Sequence, residues 1–233
     1  MVSVVMPTYN QARFIREALT SILWQVHPDW ELIIVNDGCT DQTQQVIASC
    51  ARDFRGQGWE KVHQVRTQHM GYTQATNLGL SHARGEYETM VSSDNIYFRA
   101  FLSELVPILD QRPQVGFVYS DFQYIDEKGN IGRAWLRPAW TRGIFLTGYH
   151  AGICMLWRKD LREQIGGFDE TLLAADYDFI LKCEEHADCF HVPKILGYYR
   201  DHPETVSRKR GGATDDAEIR SRALQRRGLS PET

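Results

Sequence analysis

The sequence at residues 87–98 is YETMVSSDNIYF, an apolar run that leads into two serines, an aspartate and an asparagine. The apolar half, YETMV, is typical of a strand that is buried on both faces. The polar half, Ser92 to Asn95, has two interpretations. It is either a site at the end of a buried strand, where a carboxylate holds a metal on phosphates, or the cap of a following helix.

Three earlier segments have the same strand-like character, and segments of helical periodicity separate them. In the first helical segment, Phe14, Ala18 and Ile22 recur at helical spacing. This alternation over the first hundred residues predicts a parallel sheet with crossover helices. The predicted strands are residues 2–6, 31–35 and 61–65, and the predicted helices are residues 14–26, a segment after residue 40, and residues 73–83.

The second half of the chain has a different pattern. VGFVYSDFQYID followed by EKGNIGRAW predicts two antiparallel strands joined by a Lys-Gly-Asn turn. Residues 136–149 are irregular, and the part after Ser207 is a charged tail with one short helix. Further elements are predicted as a strand in AGICMLW, helices at residues 159–165 and 177–186, and extended chain in CFHVPKILGYYR.

Composition limits the class of protein. With 233 residues and 42% apolar content, the chain can bury a full core, and a net charge of −4 gives no basic field for nucleic acid. Five scattered cysteines predict free thiols in a reducing compartment. The start of the chain resembles a strand more than a signal peptide, and no apolar run reaches the roughly 18–20 residues of a membrane span. The expected location is the cytoplasm.

Polar residues follow the first, second and fourth predicted strands, at Pro7–Asn10, Asn36–Gly38 and Ser92–Asn95. In an open parallel sheet, ligands bind outside the carboxyl ends of the strands, so these residues are expected at one edge. A carboxylate there can accept a base N–H, and an aromatic ring can stack on the base. Neither G-x-G-x-x-G nor a P-loop is present, so diphosphate charge must be met by a metal or by basic side chains.

Six segments in order identify a resemblance. SVVMPTYN, IIVNDGCTD, GYTQATNLGLSHARGEY, VSSDNIY, GGFDE and ADYDFILK resemble the family 2 glycosyltransferases of the GT-A fold. The resemblance implies an α/β fold with a Rossmann-like mixed, mainly parallel sheet flanked by helices and an antiparallel acceptor-side portion. It further implies a GT-A domain over residues 1–207, with a nucleotide-binding half at 1–98 and an acceptor-binding half at 99–207, before a charged tail at 208–233.

The resemblance also implies a reaction: inverting transfer of a sugar from a nucleoside diphosphate, usually UDP, to the hydroxyl of a carbohydrate, lipid-linked or other acceptor. By position, Asp37 accepts the uracil imide N–H, Asp94 binds Mn²⁺ or Mg²⁺, and Asp176 is the catalytic base. The residues implied at the nucleotide are Pro7, Thr8, Tyr9, Asp37, Asn77, Ser92, Ser93 and Asp94.

Two departures from the family pattern concern charge. Ser92 and Ser93 are neutral where the family usually has another acid before the metal-binding aspartate, so metal affinity should depend more on nucleotide phosphates. An arginine common near the start of the third helix is missing, which leaves the phosphate contacts to other basic residues. The candidates for diphosphate or acceptor contacts are Arg66, Arg84, Arg200, Arg208, Lys209, His150 and Trp140.

Several alternatives stay open on the sequence alone. His202 is either the C-terminal histidine that completes the metal shell in several GT-A enzymes or a solvated loop residue. Asp176 is either the base or a helix N-cap. The basic tail either contacts a membrane that carries a lipid-linked acceptor, at its inner face, or leads into a further domain. The competing functions are a sugar-nucleotide nucleotidyltransferase and a catalytically degenerate module that binds nucleotide-sugar.

Overall fold

The computed structural model describes residues 1–205, 208 and 215–230. The strands are β1 Val2–Thr8, β2 Trp30–Asp37, β3 Val62–Thr67, β4 Tyr87–Met90, β5 Ile96–Tyr97, β6 Val115–Asp126, β7 Ile131–Trp135, β8 Met155–Arg158 and β9 Asp188–Asp201. The helices are α1 Ile15–Leu23, α2 Thr43–Asp53, α3 Tyr72–Ser81, α4 Phe101–Gln111, α5 Lys159–Ile165, α6 Ala175–His186 and α7 Asp216–Arg226. Short 3-10 helices lie at Trp59–Lys61 and Ile144–Thr147.

The strands form one sheet in the order β3-β2-β1-β4-β8-β6-β9-β5, with β7 paired to β6. Strands β1 to β4 are parallel, as predicted from the strand–helix alternation. Strand β8 is antiparallel to both β4 and β6 and therefore joins the two halves. The second half is mixed, because β9 runs parallel to β6 while β7 runs antiparallel to it.

The central strands are buried on both faces, which explains their continuous apolar sequence. Every residue of β1 and β2 is buried. In β1, Val2, Val4 and Met6 pack into one core with α1, α2 and α4. The alternate residue, Val5, packs into the second core, on the side of α3, α5, α6 and α7. The helices thus cover both faces and leave the carboxyl edge of the parallel strands open to ligands.

The described part of the C-terminal segment is a packed helix. Ile219 and Ala223 of α7 are fully buried, and Arg227 Nη2 donates to Glu184 Oε2 of α6 at 2.8 Å. Arg226 Nε likewise donates to Glu185 Oε2 at 2.8 Å. The predicted short helix is therefore present, but it packs against the body of the protein because two apolar residues lie on one helical face among the charges.

Ile219→Ala is expected to lower the free energy of unfolding by about 2–4 kcal/mol, because it opens a cavity beneath α7. The matched control is Ile131→Ala, since Ile131 is 63% exposed and should change stability by less than about 0.5 kcal/mol. Urea denaturation of both variants measures the difference. Equal stability losses would show that α7 does not contribute to the folded core.

The cysteines have free thiols, as predicted from the sequence. All five cysteines are free, and all except Cys39 are buried. Burial raises the pKa of the Cys183 and Cys189 thiols well above the usual value, so these side chains are neutral packing groups. Among the described residues, no helix combines the length and the apolar character needed to cross a membrane.

Candidate active site

Two cavities open beside the carboxyl ends of the parallel strands, and they share a boundary. The smaller cavity has a volume of about 350 Å³ and the larger one about 890 Å³. Tyr72, Ser92 and Asp94 line both cavities. The smaller cavity is also lined by Pro7, Thr8, Tyr9, Asp37, His69 and Ser93, so most of the residues expected at the nucleotide meet here.

Asp37 holds the loop that leads into α3. Its carboxylate is 2% exposed and accepts hydrogen bonds from the backbone N–H groups of Met70 and Gly71, at 2.8 and 3.0 Å. His69 Nδ1 lies 2.8 Å from Asp37 Oδ2, and its ring stacks on Tyr9 with centroids 3.8 Å apart. A carboxylate has about four acceptor positions, so Asp37 can accept one more hydrogen bond. The sequence did not indicate His69.

The Thr8 hydroxyl of the smaller cavity is buried without a hydrogen-bond partner within the described residues. Buried polar atoms in proteins are nearly always paired, so an orphaned hydroxyl beside a cavity is a place for a polar ligand. Ser92 and Ser93 line the same cavity. The three hydroxyl groups can contact a ribose or a phosphate.

The polar segment Ser92–Asn95 is a turn and does not begin a helix. Residues 92–95 form the turn, β5 follows at Ile96–Tyr97, and β5 pairs antiparallel with β9. The next helix, α4, begins only at Phe101. The expectation that Asp94 or Asn95 caps a helix is therefore wrong, because Asn95 Oδ1 accepts instead from the backbone N–H of Arg200 at 2.9 Å. Asp94 is left facing both cavities.

Asp94 and His202 form a pair that fits a metal ion. Asp94 Oδ2 lies 3.2 Å from His202 Nε2, with the side chains 15% and 3% exposed. Six-coordinate Mg²⁺ holds its ligands at about 2.1 Å, which places neighbouring ligand atoms about 3 Å apart. The pair therefore matches two adjacent positions of such a shell. No group of three or more His, Cys, Asp or Glu suited to a metal occurs in the described part of the chain, so phosphate and water would supply the remaining ligands.

Two of the arginines expected at the diphosphate already have partners. Arg200 is buried, with Nε donating to the Asp94 carbonyl at 2.9 Å and Nη2 donating to Glu17 Oε2. Arg200 therefore fixes the loop that carries Asp94. Arg208 borders the larger cavity, and its guanidinium donates to both carboxylate oxygens of Asp201, at 2.7 and 2.6 Å. Lys209 lies outside the described residues.

Asp176 lines the larger cavity from the first turn of α6. The helix begins at Ala175, so Asp176 lies inside it and is not its N-cap. The Tyr149 hydroxyl donates to the Gly152 carbonyl at 3.0 Å and lies near the Asp176 carboxylate. Desolvation and this carboxylate raise the pKa of Tyr149 well above its usual value. Tyr149 therefore stays protonated beside Asp176.

Asp178, two residues further along α6, has a different environment. It is 2% exposed, and its carboxylate pairs with Lys182 Nζ at 2.7 Å and with Arg226 Nη1 at 3.3 Å. Both partners lie on helices, so Asp178 joins α6 to α7. Of the two aspartates in the DYD sequence, Asp176 therefore lines the cavity and Asp178 lies between the packed helices α6 and α7.

The larger cavity has an aromatic wall that sequence reasoning did not assemble. The aromatic wall consists of Phe122, Tyr124, Trp135 and Tyr199, and Arg133 and Arg137 lie against it. Phe122 and Tyr124 are two residues apart on β6, so their side chains lie on the same face of the sheet. That spacing and the hairpin of β6 and β7, which supplies Trp135, were the available signals, but β9, which supplies Tyr199, is distant in sequence.

Five expected site residues lie away from both cavities. The Asn77 amide is held by the backbone of Phe168, with Nδ2 2.8 Å from its carbonyl. Trp140 Nε1 donates to Glu184 Oε1 at 3.1 Å, and His150 Nε2 lies 2.8 Å from Thr147 Oγ1. Arg84 Nε donates to Glu31 Oε2 at 2.9 Å, and Arg66 is exposed on β3. None of the five lines either cavity.

Known structures share this fold. TarS of S. aureus, solved in complex with UDP-GlcNAc, superposes with a TM-score of 0.74 at 21% identity, over 94% of this chain and 64% of the TarS chain. The mannosyltransferase PcManGT of Pyrobaculum calidifontis superposes with a TM-score of 0.75 at 21% identity, over 99% of this chain and 66% of that one. The predicted GT-A architecture, a mixed sheet flanked by helices, is confirmed.

Sequence comparison gives the family. An uncharacterized glycosyltransferase of Rickettsia conorii is 28% identical over 232 residues, which is 94% of this chain. The match covers 37% of that protein, so the chain spans little more than a third of its length. Residues 3–165 match Glycosyl transferase family 2. Because this match includes well over half of the 233 residues, the chain belongs to glycosyl transferase family 2.

Proposed function

We propose that this chain transfers a sugar from a UDP-sugar to an acceptor hydroxyl with inversion at the anomeric carbon. The observation that carries the proposal is the position of Asp94 on the boundary between two cavities. One cavity contains the base-binding candidates Tyr9 and Asp37, and the other contains Asp176. We therefore assign residues 1–98 to the donor and residues 99–207 to the acceptor.

The remaining hydrogen-bond capacity of Asp37 favours UDP as the nucleotide. Uracil presents one imide N–H to a carboxylate, whereas guanine presents an N–H and an amino group together. Asp37 already faces three donors, from His69, Met70 and Gly71, and has about one acceptor position left. The solved relatives bind both kinds of donor, since TarS holds UDP-GlcNAc and PcManGT holds GDP-Man with Mn²⁺.

Asp94 and His202 would hold a divalent metal, Mn²⁺ or Mg²⁺, on the donor. The chemistry that such an ion supplies is charge stabilisation of the departing nucleoside diphosphate. Arg200 keeps Asp94 in place through the Asp94 carbonyl, 2.9 Å from Nε. Ser92 and Ser93, which line the smaller cavity, would contact the ribose.

Asp176 would act as the general base. Its carboxylate takes the proton of the acceptor hydroxyl while the acceptor oxygen forms a bond to the anomeric carbon. The bond from that carbon to the diphosphate oxygen breaks in the same step, and its electron pair leaves with the nucleotide. Attack opposite the leaving group inverts the anomeric centre. Tyr149 would keep its proton beside this carboxylate.

The proposal is tested by measuring UDP release from a panel of UDP-sugars, with GDP-mannose for comparison. Release is expected with at least one UDP-sugar in Mn²⁺ or Mg²⁺, and at least about tenfold less in EDTA. UDP binding without release from any donor would favour a non-catalytic module. Formation of UDP-sugar and pyrophosphate from UTP and a sugar 1-phosphate would favour a nucleotidyltransferase.

A further inference from the structure

Arg137 packs against two aromatic rings on one side of the larger cavity. The rings of Phe122 and Trp135 are parallel within 3°, with centroids 6.4 Å apart. The guanidinium carbon of Arg137 lies 5.0 Å from the Phe122 centroid and 4.9 Å from the Trp135 centroid. Contacts of this kind engage the faces of the rings and fix the guanidinium, while its N–H groups stay available at the edge.

The guanidinium of Arg137 has no anionic partner in the described part of the chain. Its Nε is buried without a hydrogen-bond partner, and among the described residues Arg137 donates only through its backbone N–H, to Asp121 Oδ1 at 2.7 Å. Desolvation lowers the pKa of Arg137, so its charged form is poorly compensated. Arg208, which lines the same cavity, is by contrast paired with Asp201.

A second arginine extends the positive charge along the aromatic wall. The guanidinium carbon of Arg133 lies 4.3 Å from the Trp135 ring centroid and 5.3 Å from that of Tyr124. Arg133 also lacks an ion pair among the described residues, and it is exposed. The aromatic wall therefore presents two uncompensated cations to the larger cavity.

The acidic residues of the larger cavity do not neutralise this pair. They are Asp94, which faces His202, Asp201, which pairs with Arg208, and Asp176 and Asp216, which have contacts of their own. None of these four carboxylates forms an ion pair with Arg133 or Arg137. Because Arg137 is partly desolvated and has no ion pair among the described residues, an anion from a ligand would stabilise its charge.

We infer that Arg137, with Arg133, binds an anionic group, a phosphate or a carboxylate, carried by the acceptor. The inference rests on the proposed function, which assigns the larger cavity and Asp176 to the acceptor. Arg137 lines that cavity and not the smaller one, so it is separated from the donor's nucleotide. A planar guanidinium forms two parallel hydrogen bonds to a carboxylate or phosphate, which suits selection of a charged acceptor over a neutral one.

The test uses three simple sugars as probes: glucose 6-phosphate, glucuronate and glucose, titrated by NMR into the full chain with UDP and Mn²⁺ present. Wild-type protein is expected to bind one or both anionic probes at least about tenfold more tightly than glucose. Comparison of the phosphate and carboxylate probes identifies the group. Arg137→Gln should reduce the preference to less than about threefold without changing UDP affinity. The control is Arg52→Gln, an exposed arginine of α2 that should keep the preference.

Each other outcome is decisive. A wild-type protein without a preference for either anionic probe overturns the inference, and so does displacement of UDP by those probes. Loss of UDP affinity in Arg137→Gln would assign the arginine to the donor instead. If that variant does not fold, Arg133→Gln, which changes an exposed side chain, should lower the preference about threefold, and an unchanged preference contradicts the inference. Failure of wild-type protein to bind UDP overturns the proposed function separately.

Discussion

Asp176→Asn is expected to lower the rate of sugar transfer by about 10²–10⁴-fold, the usual contribution of a general base. Asparagine has nearly the same shape as aspartate but cannot accept the proton of the acceptor hydroxyl. UDP affinity should stay within about twofold of wild type, because Asp176 lines only the larger cavity. Steady-state transfer with saturating donor, together with calorimetric titration of UDP, measures both quantities.

The matched control is Asp178→Asn, the same chemical change two residues along α6. Asp178 is buried against Lys182 and Arg226, so this variant should be less stable, with a lower Tm. Its transfer rate at a temperature where it is folded should stay close to that of wild type. Transfer by Asp176→Asn at near wild-type rate would remove the base assignment. An equal loss in Asp178→Asn would mean that the first turn of α6 acts only through structure.

The parallel half of the fold could be predicted because its signals are local. Continuous β-branched runs indicated β1 and β2, and helical spacing indicated α1, with boundaries that differ from the structure by a few residues. The insertion of β8 between β4 and β6 could not be predicted. That pairing depends on contacts between segments about 70 and 40 residues apart, which no local pattern records.

Part of the candidate site could likewise be predicted from local sequence patterns, and part could not. Asp37 and Asp94 lie at the expected edge because the carboxyl ends of parallel strands meet there. The capping role expected for Asp94 or Asn95 was wrong, because a local preference for aspartate at helix starts cannot anticipate the bonds from Arg200. No local pattern indicated Arg137. Its significance lies in the two rings against which it packs and in the lack of an ion pair with a carboxylate among the described residues.

Asp94→Ala is expected to abolish the metal-dependent part of UDP binding. In Mn²⁺, the Kd for UDP should rise about 10–100-fold, to the value that wild-type protein shows in EDTA. The reason is that only Asp94 and His202 are placed as protein ligands in the described residues, so losing the carboxylate removes the one anionic ligand. Calorimetric titration of UDP with Mn²⁺ and with EDTA measures the change without requiring turnover.

Two further variants separate metal binding from a structural role of Asp94. Asp94→Asn keeps the shape of the loop and the backbone carbonyl that accepts from Arg200, and it should lose the Mn²⁺ dependence nearly as completely as alanine. Ser92→Asp restores a second acid on the boundary of the two cavities, where the family usually has one, and should tighten Mn²⁺ binding in the absence of nucleotide. Unchanged UDP–Mn²⁺ affinity in both Asp94 variants would contradict the metal assignment. The two serines would then mark a site whose donor phosphates are stabilised without a protein-bound metal, and the basic side chains of the larger cavity would have to supply the charge.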